Sequence, residues 1–211
     1  MVTLASLITV LRFPLLIIVV LMLYLGGGGG RFVAVPLIFI LIMLDTLDGI
    51  IARRRGEQSL FGSALDIAAD RAVEIVLWVT YAHQRLIPVA IPITVVIRGA
   101  LTDSFRGIAL RNGQSAHSMM RSRIGHWLVA SAAMRSGYSV AKTCAFLLLA
   151  LALALGTTGQ RWEHSVRLAG TIFAWLSLAL CLLRGLPVIA EAALLLGRRP
   201  ADSQEAETVD R

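Results

Sequence analysis

The sequence predicts an all-α integral membrane protein, a bundle of six transmembrane helices with a polar cavity open to the cytoplasmic side. Three observations lead there. Hydrophobic residues make up 57% of the 211 positions, with a mean hydropathy of +0.76. They gather into runs of about 20 residues, the length that crosses a bilayer core. Charged residues are only 16% of the chain, yet four aspartates, Asp45, Asp48, Asp66 and Asp70, sit in or beside two of the apolar runs. A charge there costs about 2.5–3.5 kcal/mol if nothing compensates it. Residues 1–197 read as one membrane domain and 198–211 as a polar, disordered tail.

The runs can be justified in order. The first covers residues 4–25, starts almost at the initiator and has no small-residue cleavage site, which predicts a retained helix. Arg12 and Pro14 interrupt it, and a lone arginine at that depth can snorkel to the interface. Gly26 to Gly30 predict a flexible outer turn, because consecutive glycines hold a helix poorly. A second span, 32–52, ends in Asp45 and Asp48. A third, 62–82, carries Asp66, Asp70 and Glu74 at four-residue spacing, so the three share a face. Glu74 is expected to meet Arg71 or Arg98.

After a short outer loop at 83–85, the fourth span covers 87–110, with Pro88 and Pro92 tolerated in its first turns. Arg98, Asp103 and Arg106 interrupt it, as polar groups facing a cavity do. Residues 111–135 are basic and less apolar. They read as an inner-face loop with an interfacial or re-entrant helix, in which His117 and His126 are solvated. A fifth span covers 140–155 and opens near Lys142, the single lysine, for which snorkelling is the default reading. The sixth covers 168–189, with Arg184 near its inner end as a lipid-phosphate contact or a surface anchor. Cys144 and Cys181 fall inside apolar runs and behave as small hydrophobes.

The charge balance locates the chain. Net charge is +7, carried by 19 arginines and one lysine against 13 acidic residues. The arginines are scattered between spans, which suits an anionic lipid leaflet and not nucleic acid. With the N-terminus inside, Arg53 to Arg55, Arg106, Arg111, Arg121, Arg123, Arg135, Arg198 and Arg199 face inward. Only Arg31, Arg85, Arg161 and Arg167 face outward. This asymmetry predicts a multi-pass protein of the inner cell membrane with its aspartates near the cytoplasmic face.

The aspartate spacing predicts chemistry. Asp45 and Asp48 are three residues apart and Asp66 and Asp70 four apart, so each pair projects from one helix face. Two such faces form a cage of carboxylate oxygens suited to Mg²⁺ or Mn²⁺. No Cys or His lies in the stretch, which argues against zinc. Gly49 and Gly62 let backbone or phosphate approach closely, and Arg53 to Arg55 supply positive charge for a phosphate. A polar contact within a helix bundle, a divalent-cation transporter or a scaffold would use the same carboxylates. A transporter, however, should line both halves of the membrane, whereas these four cluster toward one face.

Residues 45–70 read D-x-x-D-G-x-x-A-R, eight residues, then G-x-x-x-D-x-x-x-D. In Asp45, Asp48, Gly49, Ala52, Arg53, Gly62, Asp66 and Asp70 this resembles, without a gap, the signature of the CDP-alcohol phosphotransferase family. Around Thr9 and Arg12, Arg98 and Arg106, and Lys142 with Thr143, the chain is similar to that family's phosphatidylglycerophosphate synthases. It departs from them in lacking an asparagine upstream of Thr9, an acidic residue after Arg98 and a second lysine at Val140.

The resemblance implies transfer of a phosphatidyl group from CDP-diacylglycerol to an alcohol with release of CMP. Two divalent ions, Mg²⁺ or Mn²⁺, would be held by Asp45, Asp48, Asp66 and Asp70, with Asp70 also the general base. Gly49, Ala52, Arg53 and Gly62, joined by Thr9 and Arg12, would line the CDP-lipid pocket. Arg98, Arg106 and Lys142 would bind a phosphorylated acceptor, glycerol 3-phosphate or alternatively inositol phosphate. A homodimer among membrane lipids is also implied.

Overall fold

The computed structural model describes residues 4–55, 60–111 and 131–197. The regular structure among them is entirely helical: α1 Leu4–Leu25, α2 Gly27–Arg55, α3 Leu60–His83, α4 Ala90–Arg111, α5 Ala132–Thr157 and α6 Glu163–Gly197. Most of the basic loop, with His117, His126, Arg121 and Arg123, lies outside the described residues, as does the tail from Arg198.

Four helices carry stretches long and apolar enough to cross a membrane: Ser6–Leu25, Gly27–Leu47, Ala133–Thr157 and Glu163–Pro187. Helices α3 and α4 are long enough but more heavily charged, through Asp66, Asp70, Arg71 and Glu74 on one and Arg98, Asp103, Arg106 and Arg111 on the other. The outward positions of the apolar helices are themselves apolar. Leu7, Leu11, Ile17, Ile18 and Leu21 of α1 and Phe39 and Ile40 of α2 are all exposed, which suits lipid as the surrounding solvent.

Two boundaries correct the sequence reading. The glycine run is not a loop, since Gly27 to Gly30 already form the first turn of α2. The reversal is confined to Gly26 and Gly27. Gly27 has φ +53°, a left-handed conformation that costs a residue with a Cβ about 1–2 kcal/mol. A Cβ on Gly26 would stand 2.5 Å from the Met22 carbonyl oxygen. The chain must turn there so that α2 can pack back along α1, and with two glycines making the turn the other three are free to be helical. The second correction concerns α5, which starts at Ala132 and not near residue 140. Ser131 caps it, its Oγ accepting from the Met134 N–H at 3.2 Å.

The helices divide into two compact units. One comprises Met1–Val96 with Gly137–Ala179, the other Ile97–Ser136 with Leu180–Arg211. In the first, α1 packs against α2 and α3. The buried face of α1 runs Ser6, Thr9, Arg12, Leu16, Val19, Leu23, a helical stripe that changes from polar to apolar along its length. On α2 the buried stripe Ala34, Ile38, Leu41 leads into Asp45, and on α3 Asp66 and Asp70 lead into Val73, Glu74, Leu77 and Tyr81. The apolar ends meet in a core with Phe146 and Leu149 of α5, where Trp78 stacks edge-on with Phe146 and the Tyr81 hydroxyl donates to the Phe146 carbonyl at 2.7 Å. With lipid as the surrounding solvent, close van der Waals packing of these large side chains and the hydrogen bond between helices hold the core together. The polar ends of the stripes form the site.

Candidate active site

Three helices deliver charge to the same end of the first unit. Because α1 and α2 run antiparallel about the Gly26–Gly27 turn, the N-terminal half of α1 lies beside the C-terminal half of α2. Arg12 is 1% exposed, and its Nη1 donates to Asp45 Oδ1 at 2.7 Å while standing 3.5 Å from Asp66 Oδ1. This corrects the snorkelling reading. A fully buried guanidinium needs a carboxylate partner, and one is supplied from each of two neighbouring helices. Thr9 is buried one turn before Arg12 on the same stripe.

A second cluster lies further along α3. Asp70 and Glu74 are one turn apart, as are Tyr138 and Lys142 on α5. Lys142 Nζ is 3.8 Å from Asp70 Oδ1 and 3.5 Å from Glu74 Oε2. Arg71 Nη1 is 3.8 Å from the same Glu74 oxygen, and the Tyr138 hydroxyl donates to Glu74 Oε1. Lys142 therefore does not snorkel, because two carboxylates hold it within the unit. The sequence reading offered Arg71 or Arg98 as the partner of Glu74; the Arg71 contact is found, and Tyr138 and Lys142 were missed. Its fifth helix began after Tyr138, so the i, i+4 relation that puts Tyr138 and Lys142 on one face was out of view.

Gly62 lies in the first turn of α3, one turn before Asp66. Asp48, Gly49, Ala52 and Arg53 continue α2 past Asp45 and Arg106 belongs to α4, but their side chains lie outside the described set. Among the described residues no three His, Cys, Asp or Glu side chains converge as metal ligands. The donor set nevertheless fits a hard cation. One guanidinium nitrogen within 3.5 Å of both Asp45 and Asp66 shows that these carboxylates face a common cationic position.

The second unit holds Arg98 of α4 and Arg184 of α6. A Cβ on Gly185 would lie 2.6 Å from Arg98 Nε and 2.8 Å from its Cγ, so Gly185 is the space in which the Arg98 side chain rests. Thr102, one turn on, donates to the Arg98 carbonyl at 2.8 Å and is buried. Both arginines are half-buried.

The model of the family described as CDP-alcohol phosphatidyltransferase matches residues 2–188. The chain belongs to that family. The match spans all six helices, ending at Val188 of α6, so every residue of both clusters lies within it. Members transfer a substituted phosphate group from a CDP-alcohol to an alcohol, and they use divalent metal ions. This chain is thus a membrane-embedded transferase of lipid biosynthesis. No curated protein matches the sequence. Family membership leaves the roles of the site residues and the alcohol acceptor to be argued from the chain's own side chains.

Proposed function

We propose that this CDP-alcohol phosphatidyltransferase uses CDP-diacylglycerol as donor and glycerol 3-phosphate as acceptor, forming phosphatidylglycerophosphate and CMP. The observation that carries the reading is Lys142, whose ammonium stands 3.8 Å from Asp70 and is 14% exposed. A phosphate monoester bound by that ammonium brings its own hydroxyl toward Asp70. Asp70, 45% exposed, is the carboxylate of the cluster open to a substrate.

In this mechanism Asp70 takes the proton of the acceptor hydroxyl. The freed oxygen forms a bond to the lipid-bearing β-phosphorus as the bond from that phosphorus to the CMP oxygen breaks. CMP leaves with the electron pair, and the proton remains on Asp70 until it passes to solvent. Asp45, Asp48, Asp66 and Asp70 would hold divalent ions, Mg²⁺ or Mn²⁺, which supply charge to the pyrophosphate oxygens and the departing CMP. Arg12 and Arg53 pair with the donor's phosphates, while Thr9, Gly49, Ala52 and Gly62 leave room for the nucleotide. In the second unit Arg98, settled on Gly185, is a further cation suited to a phosphate. Inositol phosphate, another phosphate monoester, fits the same cations and is the second reading.

In the same proposal α3 and α4 complete six spans, with their polar faces turned from lipid. The site opens to the cytoplasmic face of the inner membrane, and the chain works as a homodimer. The test is CMP release from CDP-diacylglycerol by purified protein with Mg²⁺ or Mn²⁺, comparing glycerol 3-phosphate, inositol phosphate, serine and buffer alone. Release that depends on glycerol 3-phosphate supports the proposal. A preference for serine would refute an acceptor site built on Lys142.

A further inference from the structure

Glu74 is the one carboxylate among the described residues that is buried, at 3% exposure. It lies outside the aspartate signature, and its first oxygen is occupied by the Tyr138 hydroxyl, so it has no free face to offer a substrate. What it does face is Lys142, 3.5 Å from its second oxygen. Arg71, at 3.8 Å, shares that oxygen from the solvent side and is 28% exposed. The Lys142 ammonium also lies 5.4 Å from the centre of the Tyr138 ring.

We infer that Glu74 is a positioning residue: clamped by Tyr138, it fixes the Lys142 ammonium beside Asp70 and so sets where an acceptor's phosphate must sit for its hydroxyl to reach the base. A lysine side chain has four rotatable bonds, and its ammonium is a mobile point charge unless something holds it. Asp70 is a weak holder, because it is nearly half exposed and solvent screens the pair. Glu74 is buried, so its attraction for Lys142 is screened far less. The geometry is that of two facing turns: Asp70 and Glu74 are four apart on α3, Tyr138 and Lys142 four apart on α5, and each α5 residue meets Glu74. Tyr138 keeps the Glu74 carboxylate from swinging toward Arg71 and away from Lys142. The inference rests on Lys142 being the acceptor's phosphate contact, and it adds a specificity element: the ammonium is held at a fixed distance from the base, which selects phosphate-bearing alcohols by the separation of their phosphate and hydroxyl.

Two readouts test it. In the transfer assay, Glu74→Gln should raise the KM for glycerol 3-phosphate about tenfold or more, the size of one lost charge-assisted contact, with the KM for CDP-diacylglycerol unchanged. Tyr138→Phe should act in the same direction more weakly. In a Lys142→Met background Glu74→Gln should add little, because the group it positions is gone. The second readout needs no turnover. Lys142 is the single lysine of the chain, so its acylation by an amine-reactive reagent can be followed by mass spectrometry of one peptide. Both Glu74→Gln and Tyr138→Phe should speed that acylation several-fold by releasing the ammonium.

Unchanged acylation in both variants, or full additivity of Glu74→Gln with Lys142→Met, would overturn the inference and leave Glu74 a packing residue. Should Glu74→Gln fail to fold, Tyr138→Phe removes one hydroxyl and carries the same readouts. If the wild-type protein rejects every phosphorylated acceptor while acylation still responds, the acceptor proposal fails and the Glu74 anchor stands.

Discussion

Asp45 and Asp70 each meet a cation but are held differently, and their substitution should separate catalysis from stability. Asp45 accepts from Arg12, a guanidinium with almost no access to water. Replacing it with Asn weakens the compensation of a buried charge, so Asp45→Asn should lose activity and also about 1.5–3 kcal/mol of stability, the range for a hydrogen bond to a charged group. Asp70→Asn should abolish CMP release yet leave the melting temperature in detergent close to wild type, because Lys142 keeps Glu74 as its partner. Thermal unfolding of the two variants alongside the transfer assay checks both. Equal destabilisation would show that Asp70 holds the fold as Asp45 does and would weaken its assignment as the base.

At the level of the helix, sequence periodicity was a sound guide wherever one physical term dominated. The first helix was legible because residues 4–25 form one apolar run long enough to span a bilayer, and the shared face of Asp66, Asp70 and Glu74 because a four-residue spacing has one meaning on a helix. The start of α2 was not, since glycine's poor helix propensity argued for a loop. Packing against α1 overrides that propensity in all but the two residues that reverse the chain. Nor was the start of α5, where Ser131 begins the helix ahead of the apolar run, and this hid the link from Tyr138 to Glu74. The glycine run offers a direct test. Gly27→Ala should cost about 1 kcal/mol or more because of its left-handed backbone. Gly29→Ala, in the first turn of α2 with open space at its Cβ, should stabilise by roughly 0.5–1 kcal/mol. Melting temperatures that moved the same way for both would contradict the helix start at Gly27.

For the whole molecule, the proposed six-span arrangement makes a labelling prediction. A cysteine at Gln84, between α3 and α4, should react with a membrane-impermeant maleimide from outside the cell, and one at Ser203 only after the membrane is opened. The native Cys144 and Cys181, on the apolar helices α5 and α6 and not joined in a disulfide, should stay unlabelled in intact membranes. Reversed labelling of Gln84 and Ser203 would invert the topology and move the aspartates to the other face. Arg12 carries a consequence for how the site's carboxylates are compensated. Its guanidinium stands between Asp45 and Asp66, so the repulsion between these two acids is offset. In the proposed mechanism an ion held by Asp45 and Asp66 would supply the positive charge that Arg12 supplies here, and Arg12 would pair with the donor's phosphates. Chelator should therefore silence the enzyme without melting it, whereas Arg12→Met should be unstable in chelator and regain stability as Mn²⁺ is added. A chelated wild type that unfolds would show that the ion, and not the arginine, keeps these helices together.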